Sequence, residues 1–331
     1  MADFTGTRAF PRRTALKAGV AAGFAGFLLP GLAGCTPEGR PDIVTVAGGE
    51  PGGFYLEFAG LLAESLQRHG VAGQATALTT GGSLDNLGAL LSGKATFAVA
   101  LSDSAAQRAA SGDAAAVGIS AVGKVYENYV HCIVRRDSGI PDVAGLVGRT
   151  VAVGEPGSGT SLTTPRLLEA AGLASAGGSG GVTVLSLGLN EGLAALREGT
   201  VEALFWSGGV PTAAIAAAHD DVGLALLDLA GLLPALRPKY GVFYDRVLIP
   251  ESAYPGIPAV WTVGVANLLL CRSDLDDRIV KRTVELLVEH ADELIPRSSL
   301  GVQFLSPESL INTPGLPLHP AAAAAYRQFH G

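Results

Sequence analysis

The hydrophobic pattern of this 331-residue chain alternates short β-rich runs with longer amphipathic stretches. The first unit predicts a strand at residues 43–47, a Gly-Gly turn, and a helix at residues 54–69. The same order returns with a strand at 74–78 and a helix at 84–93, and a further strand follows at 95–101. Strands that alternate with helices pack as a mainly parallel sheet, so the pattern predicts an α/β fold.

Two β-rich segments depart from this alternation. The longer segment at residues 128–136 has no helix after it, and the alternation resumes at residues 143–153. We interpret residues 128–136 as a strand that crosses from one lobe to a second lobe. A β-rich run at residues 260–271, followed by a helix at 279–295, offers the return crossing. Two crossings make a hinge, so the sequence predicts two lobes.

The composition fits a folded protein with a substantial core, because 48% of the residues are hydrophobic and 16% are charged. A formal net charge of −7 without clustered Lys and Arg argues against nucleic-acid binding. The three cysteines, Cys35, Cys132 and Cys271, lack the spacing of a zinc site or a redox pair. We therefore expect no metal and no cofactor.

The N-terminal residues 8–35 have the anatomy of an export signal, with a basic patch, an apolar stretch and small residues before a cysteine. Arg12 and Arg13 resemble a twin-arginine (Tat) signal, and the Leu-Ala-Gly-Cys run ending at Cys35 resembles a bacterial lipobox. The alternative is one membrane-spanning helix, although residues 18–34 barely reach the minimum apolar length for a span. We expect an exported lipoprotein, in the periplasm or on the outer face of the cytoplasmic membrane.

These segments give a complete domain plan. It consists of a signal peptide at residues 1–35, a tether at 36–42, one lobe made of 43–130 and 265–331, and a second lobe at 131–264. Cys132 and Cys271 both lie on the predicted crossing strands, and export permits oxidation. We therefore consider a disulfide at the hinge, the alternative being two buried thiols that act as small apolar residues.

Four loops rich in Gly, Ser or Thr follow predicted strands. They span residues 48–55, 79–86, 101–104 and 155–161. Ligands of open α/β sheets bind at this position, where backbone N–H groups and helix N-termini are exposed, and such a set suits a carboxylate. The candidate ligand-binding residues are Gly53, Tyr55, Gly82, Ser83, Asn86, Ser102, Asp103, Gly157, Ser158, Gly159, Thr160, Ser161, Trp206 and Gly208.

Each candidate has a structural alternative. Ser158 and Thr160 are suited to cap the helix that follows them, and the polar residues of the two preceding loops are equally good cap or turn residues. Tyr55 either forms a wall of the site or is a partly buried aromatic residue, and Trp206 either closes the cleft or belongs to the core. An enzyme would need a nucleophile, acid or base with a partner, yet the six histidines are scattered away from the Gly/Ser loops. The sequence therefore favours binding without chemistry.

An ordered set of segments covers nearly the whole chain after the export signal and resembles the TAXI group of extracytoplasmic solute receptors, the binding components of TRAP transporters. The segments are residues 49–55, 81–87, 92–103, 154–160, 199–205, 249–256 and 318–326. One departure lies near the predicted site, because Leu101 stands where the family often has glutamine before Ser-Asp.

The resemblance implies a two-lobed periplasmic-binding-protein fold of type II with the ligand cleft between the lobes. It also implies a small organic anion or amino acid as ligand, such as glutamate or a dicarboxylate, and a membrane permease powered by an ion gradient as partner. The alternative is a binding protein of the same fold that serves an ABC transporter or a sensory system.

Overall fold

Strand–helix units build most of the chain, as seen in a computed structural model that describes residues 41–111, 118–174, 181–296 and 306–330. The described residues belong to one compact unit, Pro37–Gly331. The strands are β1 Ile43–Ala47, β2 Gln74–Leu78, β3 Phe97–Leu101, β4 Ile119–Arg135, β5 Thr150–Ala152, β6 Thr183–Leu185, β7 Ala203–Gly208, β8 Leu224–Leu226, β9 Tyr244–Ile249 and β10 Val260–Arg272. The helices are α1 Phe54–Arg68, α2 Ser83–Leu91, α3 Ser102–Ala110, α4 Gly159–Ala170, α5 Leu189–Glu198, α6 Ala213–Val222, α7 Leu233–Tyr240, α8 Asp277–Glu289, α9 Pro307–Leu310 and α10 Pro320–His330.

The strands form one mixed sheet in the order β2-β1-β3-β10-β4-β7-β5-β6, with β8 added to β4 and β9 to β10. Strand β1 is parallel to β2 and β3, and β5 is parallel to β6 and β7. Between these two groups, β4 and β10 run antiparallel to each other and to their outer neighbours. The result is a two-lobed α/β fold of type II. The predicted parallel arrangement is found within β1–β3 and within β5–β7, but the antiparallel strands β4 and β10 make the sheet as a whole mixed.

The two crossing strands differ in how well the sequence predicts them. The predicted run at 260–271 is confirmed as β10. The predicted segment at 128–136 covers only the end of β4, which begins at Ile119. The first part of β4 escapes the hydrophobic pattern because Gly123 and the ion-paired Lys124 and Glu127, with nitrogen and oxygen 2.6 Å apart, interrupt the apolar run.

Helical periodicity explains how the first lobe buries its helices. On α1, Phe58, Leu62 and Leu66 recur every four residues and are fully buried, while Gln67 and Arg68 face outward. Each such side chain contributes about 1.5–3 kcal/mol by leaving water. The C-terminal α10 returns to the same lobe, where the Tyr326 hydroxyl donates to the Val122 carbonyl at 3.0 Å. Helix α10 thus packs on the lobe that contains β1.

A buried histidine gives the fold a pH dependence. His131 on β4 lies 3.0 Å from the Tyr129 carbonyl through Nδ1 and 3.1 Å from the Tyr254 hydroxyl through Nε2. The Tyr129 carbonyl can only accept, so Nδ1 carries the proton of the neutral ring and Nε2 accepts from the Tyr254 hydroxyl. The Tyr254 hydroxyl in turn accepts from the Thr212 N–H at 2.7 Å. Burial lowers the pKa of His131 from 6.5 to about 4.

Because the folded-state pKa of His131 is depressed, its contribution to stability is present above pH 6.5 and is lost as the pH falls toward 4. We expect the free energy of unfolding, measured by urea denaturation, to decrease by about 2 kcal/mol between pH 7.5 and pH 5 through this residue. His131→Gln should show a shallower pH dependence than the wild type over that interval. Identical slopes in the two proteins would contradict the assignment.

Candidate functional site

A cavity of about 380 Å³, part of it open to solvent, lies where the loops after β1, β2, β3 and β7 meet the start of α4. Only about 30 Å³ of this space is open to the centres of water-sized molecules, so the loops would have to move apart to admit a solute. Its lining consists of Gly49, Glu50, Gly53, Phe54, Tyr55, Gly81, Gly82, Ser83, Leu101, Ser158, Gly159, Thr160, Trp206, Ser207 and Gly208. The lining therefore comes from the carboxyl ends of strands on either side of the two crossing strands, β4 and β10.

Three helix N-termini converge on this cavity. The first turns of α1, α2 and α4 contribute Tyr55, Ser83 and Thr160 to its lining. Helix N-termini carry free N–H groups and the positive ends of the helix dipoles, so they attract a negatively charged group. Gly159 keeps the approach of α4 close, because a Cβ there would lie 2.5 Å from Leu101 Cδ1 and 2.7 Å from Ser83 Oγ.

Aromatic side chains form one wall of the cavity. The Tyr55 hydroxyl donates to the Asn267 side-chain oxygen and lies 3.3 Å from Ser83 Oγ, and burial raises the pKa of this tyrosine well above 10. Trp206 on β7 donates from its indole nitrogen to Thr212 Oγ1 at 3.3 Å. Both polar groups are therefore held by the protein, and the rings present apolar surface to the cavity.

Glu50 is the one acidic or basic side chain among the described residues that line the cavity. Its Oε2 accepts from the Leu189 N–H at 3.2 Å, at the start of α5. Partial burial, and then the nearby carboxylate of Glu155, raise the pKa of Glu50 to about 7, and Glu191 adds to this effect. Glu50 therefore gains and loses its proton near neutral pH.

The loop before α4 closes directly onto the start of α2. The Gly157 carbonyl accepts from the N–H groups of Leu84 and Asp85, at 2.9 and 3.2 Å. Gly157 itself has a φ of +94°, and a Cβ there would lie 2.5 Å from the Asp85 carboxylate. Two first-turn N–H groups of α2 are thus already satisfied by the protein.

Comparison with known proteins supplies the family. A sequence profile of the NMT1-like family matches residues 46–328. The chain belongs to the NMT1-like family. The match names the family alone and not the TAXI group that the ordered segments resemble. The finer expectation of a TRAP receptor is therefore not shown by the family.

Several solved structures are similar to this NMT1-like protein at low identity. XAC2383 from Xanthomonas citri bound to chloride ion has a TM-score of 0.50 at 15% identity, covering 88% of this chain and 100% of that one. The aliphatic sulphonate binding protein SsuA from Escherichia coli has a TM-score of 0.47 at 16% identity, covering 87% and 79%. An amino acid ABC transporter substrate-binding protein from Streptococcus pneumoniae bound to L-arginine has a TM-score of 0.47 at 15% identity, covering 79% and 96%. Identities this low concern the fold alone.

Nine of the fourteen predicted ligand residues line the cavity of the NMT1-like protein, and five do not. The nine are Gly53, Tyr55, Gly82, Ser83, Ser158, Gly159, Thr160, Trp206 and Gly208, and the five are Asn86, Ser102, Asp103, Gly157 and Ser161. Ser158 also caps α4, because its Oγ accepts from the Ser161 N–H at 3.0 Å. Ser158 therefore both caps α4 and lines the cavity, the two roles that the sequence left as alternatives.

Asn86 and Ser102 lie behind the cavity. The Asn86 carboxamide is fully buried; it donates to the carbonyls of Gly48 and Val99 and accepts from the Thr80 hydroxyl. It ties α2 to β1 and β3. The Ser102 hydroxyl is buried and has no hydrogen-bond partner among the described residues. Neither residue is the cap or turn residue that the sequence offered as an alternative, because Asn86 lies inside α2 and Ser102 is the first residue of α3, after the cap position.

Asp103 joins three elements next to the cavity. Its Oδ2 accepts from Thr163 at 3.0 Å and Arg166 at 3.1 Å on α4, and from the Tyr244 hydroxyl at 2.9 Å at the start of β9. The Asp103 side chain has no exposed surface, and that of Arg166 is 13% exposed. This buried network holds α3 against α4, and Asp103 is not part of the cavity lining.

The disulfide predicted at the hinge does not form, because Cys132 and Cys271 are both free and buried. Cys271 on β10 pairs with Ser120, and Cys132 lies twelve residues further along β4. At about 3.3 Å per residue the two cysteines are about 40 Å apart, far beyond the Cα separation of about 7 Å that a disulfide tolerates. Burial raises the pKa of the Cys271 thiol to about 12, as expected for an inert thiol.

Sequence reasoning missed several lining residues, of which Glu50 is the most consequential. The others are Gly49, Phe54, Gly81, Leu101 and Ser207. All but Ser207, which lies on β7 between Trp206 and Gly208, fall within the predicted loops, and the signal for Glu50 was a single acid in an otherwise uncharged glycine loop. Within the described residues no helix is both long and apolar enough to cross a membrane. The export signal and the lipidation of Cys35 fall on residues 1–40, outside the described residues.

Proposed function

We propose that this protein is an exported solute-binding receptor that captures a small carboxylate-bearing molecule in the cavity and delivers it to a membrane permease, without performing chemistry on it. The observation that carries the proposal is the convergence of three helix N-termini on a small cavity whose lining holds no cationic side chain among the described residues. Hydrogen bonds from such ends to a charged group contribute about 1.5–3 kcal/mol each, enough for micromolar binding without an arginine.

Glu50 refines the ligand class that we propose. A dicarboxylate would bring a second negative charge toward the one carboxyl group of the lining. An α-amino acid instead places its carboxylate at the helix N-termini and its ammonium group against Glu50, which satisfies both charges. We therefore favour an amino acid over a dicarboxylate.

The panel that tests this function contains amino acids, monocarboxylates and dicarboxylates, each added separately to the purified protein. A true ligand at about 100 times its dissociation constant adds about 2.7 kcal/mol to the free energy of unfolding, which raises the melting temperature by a few degrees. We expect one or a few amino acids to do so. Stabilisation by dicarboxylates alone would contradict the proposed ligand class, and no stabilisation by any compound would contradict the proposed function.

Replacing Glu50 with glutamine should weaken amino-acid binding by about tenfold at pH 8, because the ammonium group loses its charged partner. In the wild type the affinity should fall as the pH drops below about 7, where Glu50 takes up its proton. Isothermal titration calorimetry of Glu50→Gln should show no such pH dependence.

The matched control is Glu191→Gln. Glu191 is exposed at the start of α5 and acts on Glu50 only through its charge. This variant should bind with nearly the wild-type affinity, and the pH at which the affinity falls should shift downward because a neighbouring negative charge is gone. Equal losses in Glu50→Gln and Glu191→Gln would mean that Glu50 makes no direct contact.

We propose an ABC-type permease as the partner, because solute-binding proteins of the NMT1 type typically serve ABC transporters. A TRAP-type permease, suggested by the resemblance to the TAXI group, is the second candidate. Solute uptake into membrane vesicles separates the two. Uptake that requires ATP and survives collapse of the ion gradients supports the ABC type, and the reverse pattern supports the TRAP type.

The lobe plan and the anchor remain part of this proposal. The lobe boundaries at 130/131 and 264/265 fall in the middle of the crossing strands, where Gly264 of β10 pairs with Tyr129 of β4. A hinge at two adjacent strand positions fits closure of one lobe on the other.

Export with acylation at Cys35 would hold the receptor at the membrane. Metabolic labelling with a radioactive fatty acid tests this, and the label should be lost in Cys35→Ala.

A further inference from the structure

Three metal-ligating side chains that are distant in sequence meet on the surface of the first lobe, at the end of α1 opposite the cavity. They are His69, His290 and Glu293, called here the His-His-Glu cluster. His69 follows the last residue of α1, His290 follows α8, and Glu293 lies in the turn after it. One ligand atom from each lies within 4.8 Å of the other two.

The Glu293 carboxylate is held in one orientation. Its Oε2 accepts from Ser65 Oγ and from Arg68 Nη1, each at 2.7 Å. Its Oε1 faces the imidazoles, 3.0 Å from His69 Nε2 and 3.8 Å from His290 Nδ1. Hydrogen bonds from Ser65 and then from His69 hold the pKa of Glu293 at about 2, so the group is a carboxylate at any ordinary pH. One oxygen is thus fixed by the protein and the other is directed at the two rings.

The two histidines lie side by side, and their rings must turn out of this stacked arrangement for both to direct a nitrogen at one ion. Their rings stack with centroids 3.7 Å apart and planes inclined by 21°. The backbone that carries His69 is fixed from the other side, because Arg282 on α8 donates to the carbonyls of His69 and Gly70 at 3.0 and 2.9 Å. Both rings are partly exposed, with 27% and 36% of their side-chain surface accessible. An ion can therefore reach them from solvent.

The two separations from Glu293 Oε1 are close to those of a transition-metal site. Zn–N and Zn–O bonds of about 2.0–2.1 Å in a tetrahedral site place neighbouring ligand atoms about 3.3 Å apart. The observed separations of 3.0 and 3.8 Å lie on either side of that value. Ser65 and Arg68 on the second carboxylate oxygen supply the outer contacts that orient a metal ligand. Imidazole nitrogens select Zn²⁺, Ni²⁺ or Cu²⁺ over Ca²⁺ and Mg²⁺.

We propose that His69, His290 and Glu293 bind one transition-metal ion of the Zn²⁺ class, with a fourth position left to water. The ion would fasten the end of α1 to the segment after α8. The 15 residues of α1 separate this site from the cavity by about 22 Å, so the metal does not touch the solute. Its effect is on the stability of the first lobe, and the site is independent of the proposed solute-binding function.

The test uses the purified protein without a polyhistidine tag, and Zn²⁺ alone as the probe. Competition with a chromophoric chelator should show one tightly bound equivalent, and Zn²⁺ should raise the melting temperature by a few degrees, whereas Ca²⁺ and Mg²⁺ should not. Co²⁺ in place of Zn²⁺ should give the visible absorption of a tetrahedral site, a readout that needs no variant. Absence of both the stoichiometric binding and the Co²⁺ spectrum in the wild type would overturn the proposal.

Variants locate the bound ion. His290→Gln and Glu293→Gln should each lower the Zn²⁺ affinity at least tenfold. The control is His219→Gln, because His219 accepts from the Leu224 N–H and lies beside Arg136 rather than an acid. It should bind Zn²⁺ as the wild type does. Wild-type affinity in His290→Gln would place the ion elsewhere and refute the site; a circular-dichroism spectrum confirms that each variant is folded.

Discussion

Replacing Gly159 with leucine should abolish solute binding while leaving the protein folded. The Cβ alone would lie 2.5 Å from Leu101 Cδ1 and 2.7 Å from Ser83 Oγ, so the larger side chain fills the cavity and pushes α4 away from α2. We expect at least a hundredfold loss of affinity for the best amino acid of the panel, equivalent to about 2.7 kcal/mol, by titration calorimetry. The radius of gyration from small-angle scattering should increase, because the two lobes can no longer close.

Gly88→Leu is the matched control for this experiment. Gly88 is an exposed residue of α2 with nothing within 4 Å of an added Cβ, so its replacement adds the same side chain without reaching the cavity. Its affinity and radius of gyration should equal those of the wild type. Normal binding by Gly159→Leu would show that the solute binds somewhere other than between α4 and α2.

Replacing Asp103 with asparagine should lower the free energy of unfolding by about 3 kcal/mol. The change leaves Arg166, which is 13% exposed, without its carboxylate in a buried network. Breaking a buried ion pair by removing one partner costs about 3–5 kcal/mol, because the remaining charge stays desolvated. Urea denaturation followed by circular dichroism measures this loss.

Asp245→Asn is the comparison for Asp103. Asp245 pairs with Arg237 at 3.1 Å, but their side chains are 60% and 47% exposed, and such surface pairs contribute little. The change in unfolding free energy should stay within about 0.5 kcal/mol. If the two variants lose the same stability, the Asp103 network is not the buried clamp between α3 and α4 that its geometry indicates.

Hydrophobic periodicity predicted the first lobe well and the second lobe less well. Strands β1 and β2 and the start of α1 fall where the pattern places them. The buried positions of α1 recur at helix spacing, and the residues of β2 alternate between exposed and half-buried over most of the strand. Strand β9 was missed because it lies at the edge of β10 and exposes Asp245 and Arg246, which removes the apolar run. A strand with one partner needs less apolar surface than a central one.

Other features depend on register and long-range contact, which a single sequence does not encode locally. The cysteines were correctly placed on the two crossing strands, yet the antiparallel register puts them at opposite ends. Ser83 and Asn86 are both polar residues of the same predicted loop, so the sequence does not distinguish them. Packing places Ser83 in the cavity lining and directs the Asn86 side chain at the Val99 carbonyl of β3. His69 and Glu293 lie more than 200 residues apart, so no spacing rule brings them together.

The contact between Gly157 and α2 has a consequence for how the two sides of the cavity are joined. The Gly157 carbonyl occupies the N–H groups of Leu84 and Asp85, neither of which lines the cavity. Because only backbone groups take part, this contact does not depend on the side chains at those positions. The join between the start of α2 and the loop before α4 would therefore persist if the side chains that line the cavity were exchanged, and with them the solute that we propose it binds.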